Sequence, residues 1–214
     1  LWMNPNDTGA NQSILGTYDG GGGTNVALRI TDAGDIIRFR MGTTNFEWDD
    51  IDTNLFNQWN HFVFTRDTAG NGQIFKNGVS VAPTSSLPTG TYALTTNDYF
   101  RIGNGGLGGN TFSGSMDDVR TYNRALTDAE VLELFNAGDP PVPDLDNGLI
   151  GHWALDETSG TTAADSSGSG FDLTFDGTGP CAPATHNRSG VINRSQHLGR
   201  DECSVGYSAG AGEL

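Results

Sequence analysis

The sequence predicts an all-β fold, an antiparallel jelly-roll sandwich that carries one short helix near residues 127–137. Glycine supplies 31 of the 214 residues, and hydrophobic residues make up only 35% of the chain. That composition suits short strands joined by tight turns better than a helical bundle. Segments rich in β-branched and aromatic residues also recur about every 8–15 residues, as in sandwiches and jelly rolls. A single segment carries the start and stop signals of a helix.

The strands predicted in the first part of the chain are separated by Gly, Asn and Asp. They are Val26–Ile30, Ile36–Met41, Trp59–Thr65, Gln73–Lys76, Tyr99–Ile102 and Phe112–Tyr122. Asn77 and Gly78 directly follow one of these strands. Because both residue types tolerate positive φ, we expect a two-residue hairpin turn there.

The helix has signals at both ends. Thr127 is a good N-cap, and Glu130 three residues later completes a capping box. Gly138 favours termination, and Pro140–Pro141 prevents continuation. A helix of about three turns is marginal alone, so it is expected to lie on the sandwich by one apolar side, formed by Val131, Leu134 and Phe135.

A change of composition divides the chain. Residues 1–138 form the main part of the predicted sandwich, and residues 139–148 are a proline-rich, semi-extended linker. A new β pattern begins in residues 149–214, with strands at Leu149–Leu155 and Phe171–Phe175. Signals after residue 180 are weaker and fall near residues 191–193, 197–198 and 203–207.

The formal net charge is −15, with 26 acidic and 11 basic residues. Nucleic acid is excluded as a partner, because phosphate binding needs a basic surface. No apolar run is long enough to span a bilayer. The chain opens with Leu1, Trp2 and Met3, which is typical of a strand interior, so we expect a piece of a longer polypeptide.

The two cysteines are Cys181 and Cys203. If the protein is exported, a disulfide between them is expected, whereas two buried thiols are the alternative. A disulfide would close a loop of about 22 residues and contribute ~3 kcal/mol in the chain-entropy model.

Several segments together resemble bacterial laminin-G-like modules of the concanavalin A-like superfamily. GSMDDVRTYNRALTDAEVLELF from Gly114 resembles the closing strand and helix of such modules. WNHFVFT from Trp59 and IFKNG from Ile74 resemble two central strands, and LWMNP at Leu1 resembles the entry strand. The resemblance covers residues 1–138 and implies a non-catalytic binding module.

Residues 149–178 resemble the beginning of such a module, in GLIGHWALDETSG from Gly148 and ADSSGSGFDLT from Ala164. The family's later strands therefore precede its early strands. In one interpretation, residues 149–214 fold back and complete the sandwich. In the other, the chain is cut from a tandem array, and these residues belong to the next copy.

The resemblance implies a structural calcium ion on the closing strand. Asp117 and Asp118 are adjacent there, so on a regular strand their side chains would point to opposite faces. The implied partners from the opening segment are Asp156, Asp165 and Asp172. Calcium prefers six to eight oxygen ligands. The alternative is that these residues form turns and surface charges.

Two further interpretations concern sugars. Glu47 to Asp52 resembles the carboxylate strand of concanavalin-like glycoside hydrolases, but the last position has the shorter Asp, and a strand end is the favoured interpretation. Trp48 could stack on a sugar ring. Tyr18 and Asn104 begin or lie in Gly-rich loops that could recognise a ligand or be plain turns.

The sequence thus predicts a secreted or cell-surface, calcium-stabilised, non-catalytic module of a larger protein, serving adhesion or surface or filament assembly. Its expected partners are neighbouring modules or copies, and glycans. The alternatives are a carbohydrate-binding module of an exported enzyme and, less favoured, a glycoside hydrolase.

Overall fold

The structure is a computed structural model. It describes residues 1–18, 24–31, 37–41, 44–48, 55–82, 99–103, 111–136, 145–176, 187–189, 194–198 and 204–207. Seventeen strands and one helix lie within these ranges.

The first eleven strands precede the helix. They are β1 (Trp2–Pro5), β2 (Gln12–Tyr18), β3 (Thr24–Ile30), β4 (Ile37–Met41), β5 (Thr44–Trp48), β6 (Asn60–Arg66), β7 (Gly72–Lys76), β8 (Val79–Val81), β9 (Tyr99–Ile102), β10 (Gly114–Asp117) and β11 (Val119–Tyr122). The helix α1 (Asp128–Asn136) is followed by β12 (Leu149–Trp153), β13 (Thr162–Ala163), β14 (Leu173–Asp176), β15 (Asn187–Ser189), β16 (Arg194–Leu198) and β17 (Ser204–Tyr207).

These strands form two large antiparallel sheets. One has seven strands in the order β15-β16-β10-β1-β6-β7-β8, and the other has eight in the order β13-β14-β17-β9-β2-β3-β4-β5. Strands β11 and β12 pair separately. The predicted all-β antiparallel sandwich with one short helix is confirmed.

The hairpin between β7 and β8 follows directly from its turn residues. Asn77 and Gly78 have φ values of 51° and 79°, the positive values that a type I′ turn requires. Lys76 then faces Val79 across the ladder, as the sequence predicts.

The single strand predicted over Phe112–Tyr122 is broken at Asp118, whose φ is 48°. Before the break, β10 pairs with β1, and after it β11 pairs with β12. The regular alternation expected for Asp117 and Asp118 does not hold across this break, because Asp118 has a left-handed backbone. Both aspartates are buried, so neither meets solvent.

The C-terminal strands extend both sheets. β16 pairs with β10 in one sheet, and β17 pairs with β9 in the other. β14 then adds to β17. Strands from residues 149–207 therefore lie edge to edge with strands from residues 1–136.

One hydrophobic core lies between the sheets and draws on both parts of the chain. Trp153 is fully buried, and its ring stacks on Phe100 with centroids 5.5 Å apart. Its indole N–H donates to the Phe171 carbonyl at 2.8 Å, which satisfies the one polar atom of this side chain. By contrast, Trp2 and Trp59 are only half-buried.

The helix covers the outer face of the seven-stranded sheet. Val131 and Leu134 are buried in a second cluster with Val63 and Phe75, and Phe135 stacks on Trp2. The capping box is present, because Thr127 N–H donates to Glu130 Oε2 at 2.7 Å and Glu130 N–H donates to Thr127 Oγ1 at 3.3 Å. In the described part of the chain, no helix is long and apolar enough to cross a membrane.

Candidate functional site

A polar junction joins the closing strand to the opening segment. Arg120 on β11 faces His152 on β12 across the ladder. His152 Nε2 lies 2.6 Å from Asp118 Oδ1, and Arg120 Nε donates to the same oxygen at 3.0 Å. Because an ionised carboxylate only accepts, Nε2 carries the imidazole proton.

Burial alone would raise the pKa of Asp118. The hydrogen bond from His152 and the positive charge of Arg120 outweigh burial and hold its pKa well below the usual range. Asp118 is therefore ionised in the folded protein, and it stabilises the contact between β11 and β12 through charge-assisted hydrogen bonds.

Asp165 organises the next turn. Its Oδ1 accepts from the backbone N–H groups of His152 and Ser167, both at 2.9 Å. Its Oδ2 accepts from Ser167 Oγ and from Phe171 N–H, also at 2.9 Å. Burial would raise the pKa of Asp165, but the backbone N–H donors lower it. Asp172 Oδ1 in turn accepts from Asp165 N–H at 2.8 Å.

These contacts bear on the calcium prediction. Asp118 is held by two cationic or proton-donating side chains, and both oxygens of Asp165 already accept two hydrogen bonds each. Asp117 lies buried on β10, and Asp156 follows β12 half-buried. Among the described residues, no three His, Cys, Asp or Glu side chains are grouped so that they could hold a metal ion. As placed, the five aspartates do not fit a calcium cage, and calcium binding stays a prediction.

The junction also contains a serine, a histidine and an aspartate in series. Ser166 Oγ lies 2.8 Å from His152 Nδ1, on the opposite side of the ring from Asp118. A serine nucleophile further needs N–H donors for a developing oxyanion. Here Ser166 N–H donates to the His152 carbonyl at 2.8 Å, and Ser167 N–H donates to Asp165. These three side chains therefore stabilise a turn. The backbone N–H groups of Ser166 and Ser167 already donate to protein acceptors, so these two amides do not serve as oxyanion donors.

Beside the junction lies a cleft of about 620 Å³, a volume typical of ligand sites. Its lining includes residues 62–66 of β6 and residues 120–124, which begin in β11. Leu28 and Phe39 contribute apolar side chains to the lining, and Arg66 and Tyr122 contribute polar ones.

Leu1 also lines the cleft. Its amino group donates to the Phe62 carbonyl at 3.1 Å, and its carbonyl accepts from Phe62 N–H at 2.9 Å. Burial lowers the pKa of this amine to about 6. His61 also lines the cleft, and burial, with the neighbouring amine, lowers its pKa to about 2, so the imidazole is neutral at physiological pH.

The remaining predicted site residues lie elsewhere. Tyr18 ends β2, and Trp48 ends β5, where Glu47 pairs with Arg38 in the backbone register. Asn104, Cys181 and Cys203 lie outside the described residues, and so does Asp52. The ligand-binding and disulfide assignments therefore stay predictions.

Sequence reasoning did not identify His152 and Arg120 as site residues. The signal was present, because Arg120 is two residues from Asp118 on the closing strand and His152 lies within the opening GLIGHW segment. Only the register that brings Arg120 opposite His152 shows that they share one carboxylate.

The comparisons with known proteins agree with this fold. A family model described as the concanavalin A-like lectin/glucanases superfamily, Laminin_G_3, matches residues 1–132. A crystal structure from Bacteroides ovatus ATCC 8483, provisionally described as a carbohydrate binding protein, matches with 23% sequence identity and a TM-score of 0.61. The match covers 82% of this chain and 50% of that one, so the chain spans half its length. No curated protein matches the chain.

Proposed function

Because the chain belongs to the concanavalin A-like lectin/glucanase superfamily, we propose that it is a non-catalytic module of a larger exported protein, used in adhesion or in surface or filament assembly. The observation that carries this proposal is the cleft of about 620 Å³ that residues of β6 and β11 line together with apolar side chains such as Leu28 and Phe39. A largely apolar cleft of this size suits the binding of a ligand or partner surface.

The state of the carboxylates supports a binding role. Retaining glycoside hydrolysis needs two carboxyl groups about 5–5.5 Å apart, one of them free to act as an acid. Asp118 and Asp165 are instead committed to hydrogen bonds that join strands and turns. The strongly acidic composition is consistent with a soluble, exported module.

Turnover assays test the non-catalytic assignment. We expect no hydrolysis of β-glucans by the chain, and Glu47→Gln is expected to change nothing. Glu133→Gln, at an exposed position on α1, is the matched control. Hydrolysis that is lost in Glu47→Gln but kept in Glu133→Gln would contradict the proposal.

Sedimentation and surface-binding measurements test the adhesive role. We expect the chain to associate with itself or with immobilised copies in a concentration-dependent, saturable manner. A chain that stays monomeric and binds no copy at high micromolar concentration, while binding a defined glycan, would favour the second candidate instead.

The second candidate is a carbohydrate-binding module of an exported enzyme. It is favoured by the likeness to the Bacteroides ovatus structure and by the position of Trp48 at the end of β5, since an aromatic ring can stack on a sugar. Glycan-array binding that is lost in Trp48→Ala and kept in Trp48→Phe would establish it.

Calcium stabilisation can be decided directly. Elemental analysis of the purified chain, together with thermal unfolding in the presence and absence of a chelator, would detect a structural ion. Because the described aspartates do not form a cage, any ligands that bind calcium would have to include residues beyond this set.

A further inference from the structure

The chain contains four Asn-Gly dipeptides, which begin at Asn71, Asn77, Asn104 and Asn147. Asparagine is chemically labile. It is most labile when glycine follows, because glycine has no side chain that hinders attack by its backbone nitrogen on the side-chain carbonyl carbon of the asparagine. Three of these dipeptides lie within the described residues, and the structure holds their asparagines differently.

Two of the three asparagines are held by side-chain hydrogen bonds. Asn77 Oδ1 accepts from the His61 N–H at 2.8 Å, and Asn77 Nδ2 donates to Asn60 Oδ1 at 3.0 Å. Asn71 Nδ2 donates to Asp67 Oδ2 at 2.7 Å. These partners fix both side-chain amides, and the Asp67 carboxylate also opposes the negative charge that a deprotonated backbone nitrogen would bring to Asn71.

Asn147 is exposed and lies in the turn before β12. No described residue makes a hydrogen bond to its side chain or accepts one from the Gly148 N–H. Gly148 has a φ of 75°, and a Cβ there would lie 2.6 Å from Asn123 Oδ1. The fold therefore requires glycine at position 148, directly after an asparagine that the described residues leave unrestrained.

Arg124 gives a chemical reason for reaction at this site. Its Nε donates to the Asn147 carbonyl at 2.8 Å. That carbonyl and the Gly148 N–H belong to one conjugated peptide group, so a cationic donor on the oxygen draws electron density from the nitrogen. The proton of the nitrogen is then easier to remove, and its removal produces the nucleophile. The carbonyl of Asn71 accepts instead from a neutral backbone N–H, that of Asp67, at 3.0 Å.

We propose that Asn147–Gly148 is a self-modification site, activated by Arg124, at which asparagine is converted to aspartate and isoaspartate. The Gly148 nitrogen loses its proton and bonds to Asn147 Cγ, the Cγ–Nδ2 bond breaks, and the side-chain nitrogen leaves as ammonia with that proton. Water then opens the five-membered ring at either carbonyl, which restores the N–H and leaves one carboxylate. This inference is independent of the proposed adhesive function.

The experiment ages the full chain in mildly alkaline buffer at physiological temperature and follows each Asn-Gly site by peptide mapping with mass spectrometry. Loss of the side-chain amide is expected to be about tenfold faster at Asn147 than at Asn77. A protein isoaspartate methyltransferase, which labels isoaspartate, is expected to label the peptide that contains residue 147. Asn147→Gln is the matched control, because glutamine keeps the amide but cannot close the same five-membered ring, and this variant should lose the label in that peptide.

Two further variants test the role of Arg124. Arg124→Leu removes the donor and is expected to slow the loss of the Asn147 amide by about fivefold or more. Glu130→Gln is the control, because it weakens the contact between Glu130 and Arg124 but keeps the donor to Asn147, so the rate should change by less than about twofold.

A merely structural role of Arg124 would change the rate in the opposite direction, since a looser turn lets the asparagine reach the reactive geometry more often. Equal rates at Asn147 and Asn77 in the unmodified chain would overturn the proposal. So would a rate at Asn147 that is unchanged or faster in Arg124→Leu.

Discussion

Asp118 combines three features that are individually uncommon in a sandwich strand: burial, a left-handed backbone and two positively polarised partners. The left-handed conformation ends β10 and turns the carboxylate toward β12, where His152 and Arg120 meet it. A charge in this position is stable only because both partners donate hydrogen bonds to it. The residue therefore determines where the closing strand leaves the main sheet.

Asp118→Asn is expected to lower the free energy of unfolding by about 2 kcal/mol at pH 7, because hydrogen bonds to a charged group are lost. Urea unfolding measures this, with the exposed Asp146→Asn as the control. The pKa of Asp118 is lowered on folding, so its stabilisation is present above pH ~4 and is lost as the pH falls further. If the difference in free energy of unfolding between wild type and Asp118→Asn is the same at pH 2.5 as at pH 7, this account is contradicted.

The burial of His61 predicts a second pH dependence of stability. It arises from an imidazole that is neutral in the folded protein, whereas the first arises from an ionised carboxylate. The folded pKa of His61 is about 2 against about 6.5 in the unfolded chain, so between these values the unfolded state binds an additional proton. Stability is expected to rise with pH across this range, by up to ~1.4 kcal/mol per pH unit. His61→Phe, which keeps a ring beside Trp2 and Phe135, should reduce this slope between pH 6 and 4.5. An unchanged slope would show that His61 is protonated in the fold.

At the scale of residues, the sequence pointed to these aspartates as calcium ligands, whereas in the structure Asp118 and Asp165 accept hydrogen bonds from protein groups. Adjacent Asp117 and Asp118 were expected to alternate across a strand, which requires regular backbone. Aspartate occurs in extended backbone and also, more often than most residues, in left-handed backbone. The residue type at position 118 therefore does not reveal the break.

Among the elements, α1 shows how strong local signals determine a structure. Thr127 and Glu130 form the capping box, and Arg124 donates to both Glu130 oxygens at 3.0 and 2.6 Å. Arg124 and Thr127 hold the pKa of Glu130 near 2. The helix could be predicted from the sequence because these contacts span six residues or fewer, whereas the partners of each strand are distant in the chain.

At Gly114, β10 lies close against the backbone of β1. The φ of Gly114 is 148°, and a Cβ there would lie 2.8 Å from Pro5 Cα and closer still to the Asn4 carbonyl. Gly114→Ala is therefore expected to cost about 2 kcal/mol or more by pushing the two strands apart. Gly160→Ala is the control, since its φ is also positive but no atom lies within 4 Å of the added carbon. Equal losses of stability in the two variants, measured by chemical unfolding, would exclude the close contact as the cause.

Considered as a whole, the molecule is built from strands whose chain order differs from their order in the sheets. The sequence predicted the sandwich and left open whether residues 149–214 complete it or belong to the next copy. Composition could not decide between these alternatives, because the same apolar strand would be buried in either one. The stacking of Trp153 on Phe100 and the pairing of β17 with β9 favour completion within one chain.

We therefore predict one cooperative unfolding transition for the full chain, with coincident far-UV circular dichroism and tryptophan fluorescence. Trp153→Ala should destabilise the whole transition by about 3–5 kcal/mol. A fragment of residues 1–148 is expected to show no cooperative transition alone and to regain one when residues 149–214 are added. A fragment 1–148 that unfolds as cooperatively as the full chain would instead assign the later residues to another unit.

The contact between Phe100 and Trp153 also has a consequence for biosynthesis. At roughly 5–20 residues per second, the ribosome needs a few seconds to add the residues that separate them. During this interval, and until residues 194–207 follow, the edges of β9 and β10 have not yet received β17 and β16. Because exposed strand edges promote aggregation, we expect the yield of folded protein to rise when chaperones are supplied during synthesis.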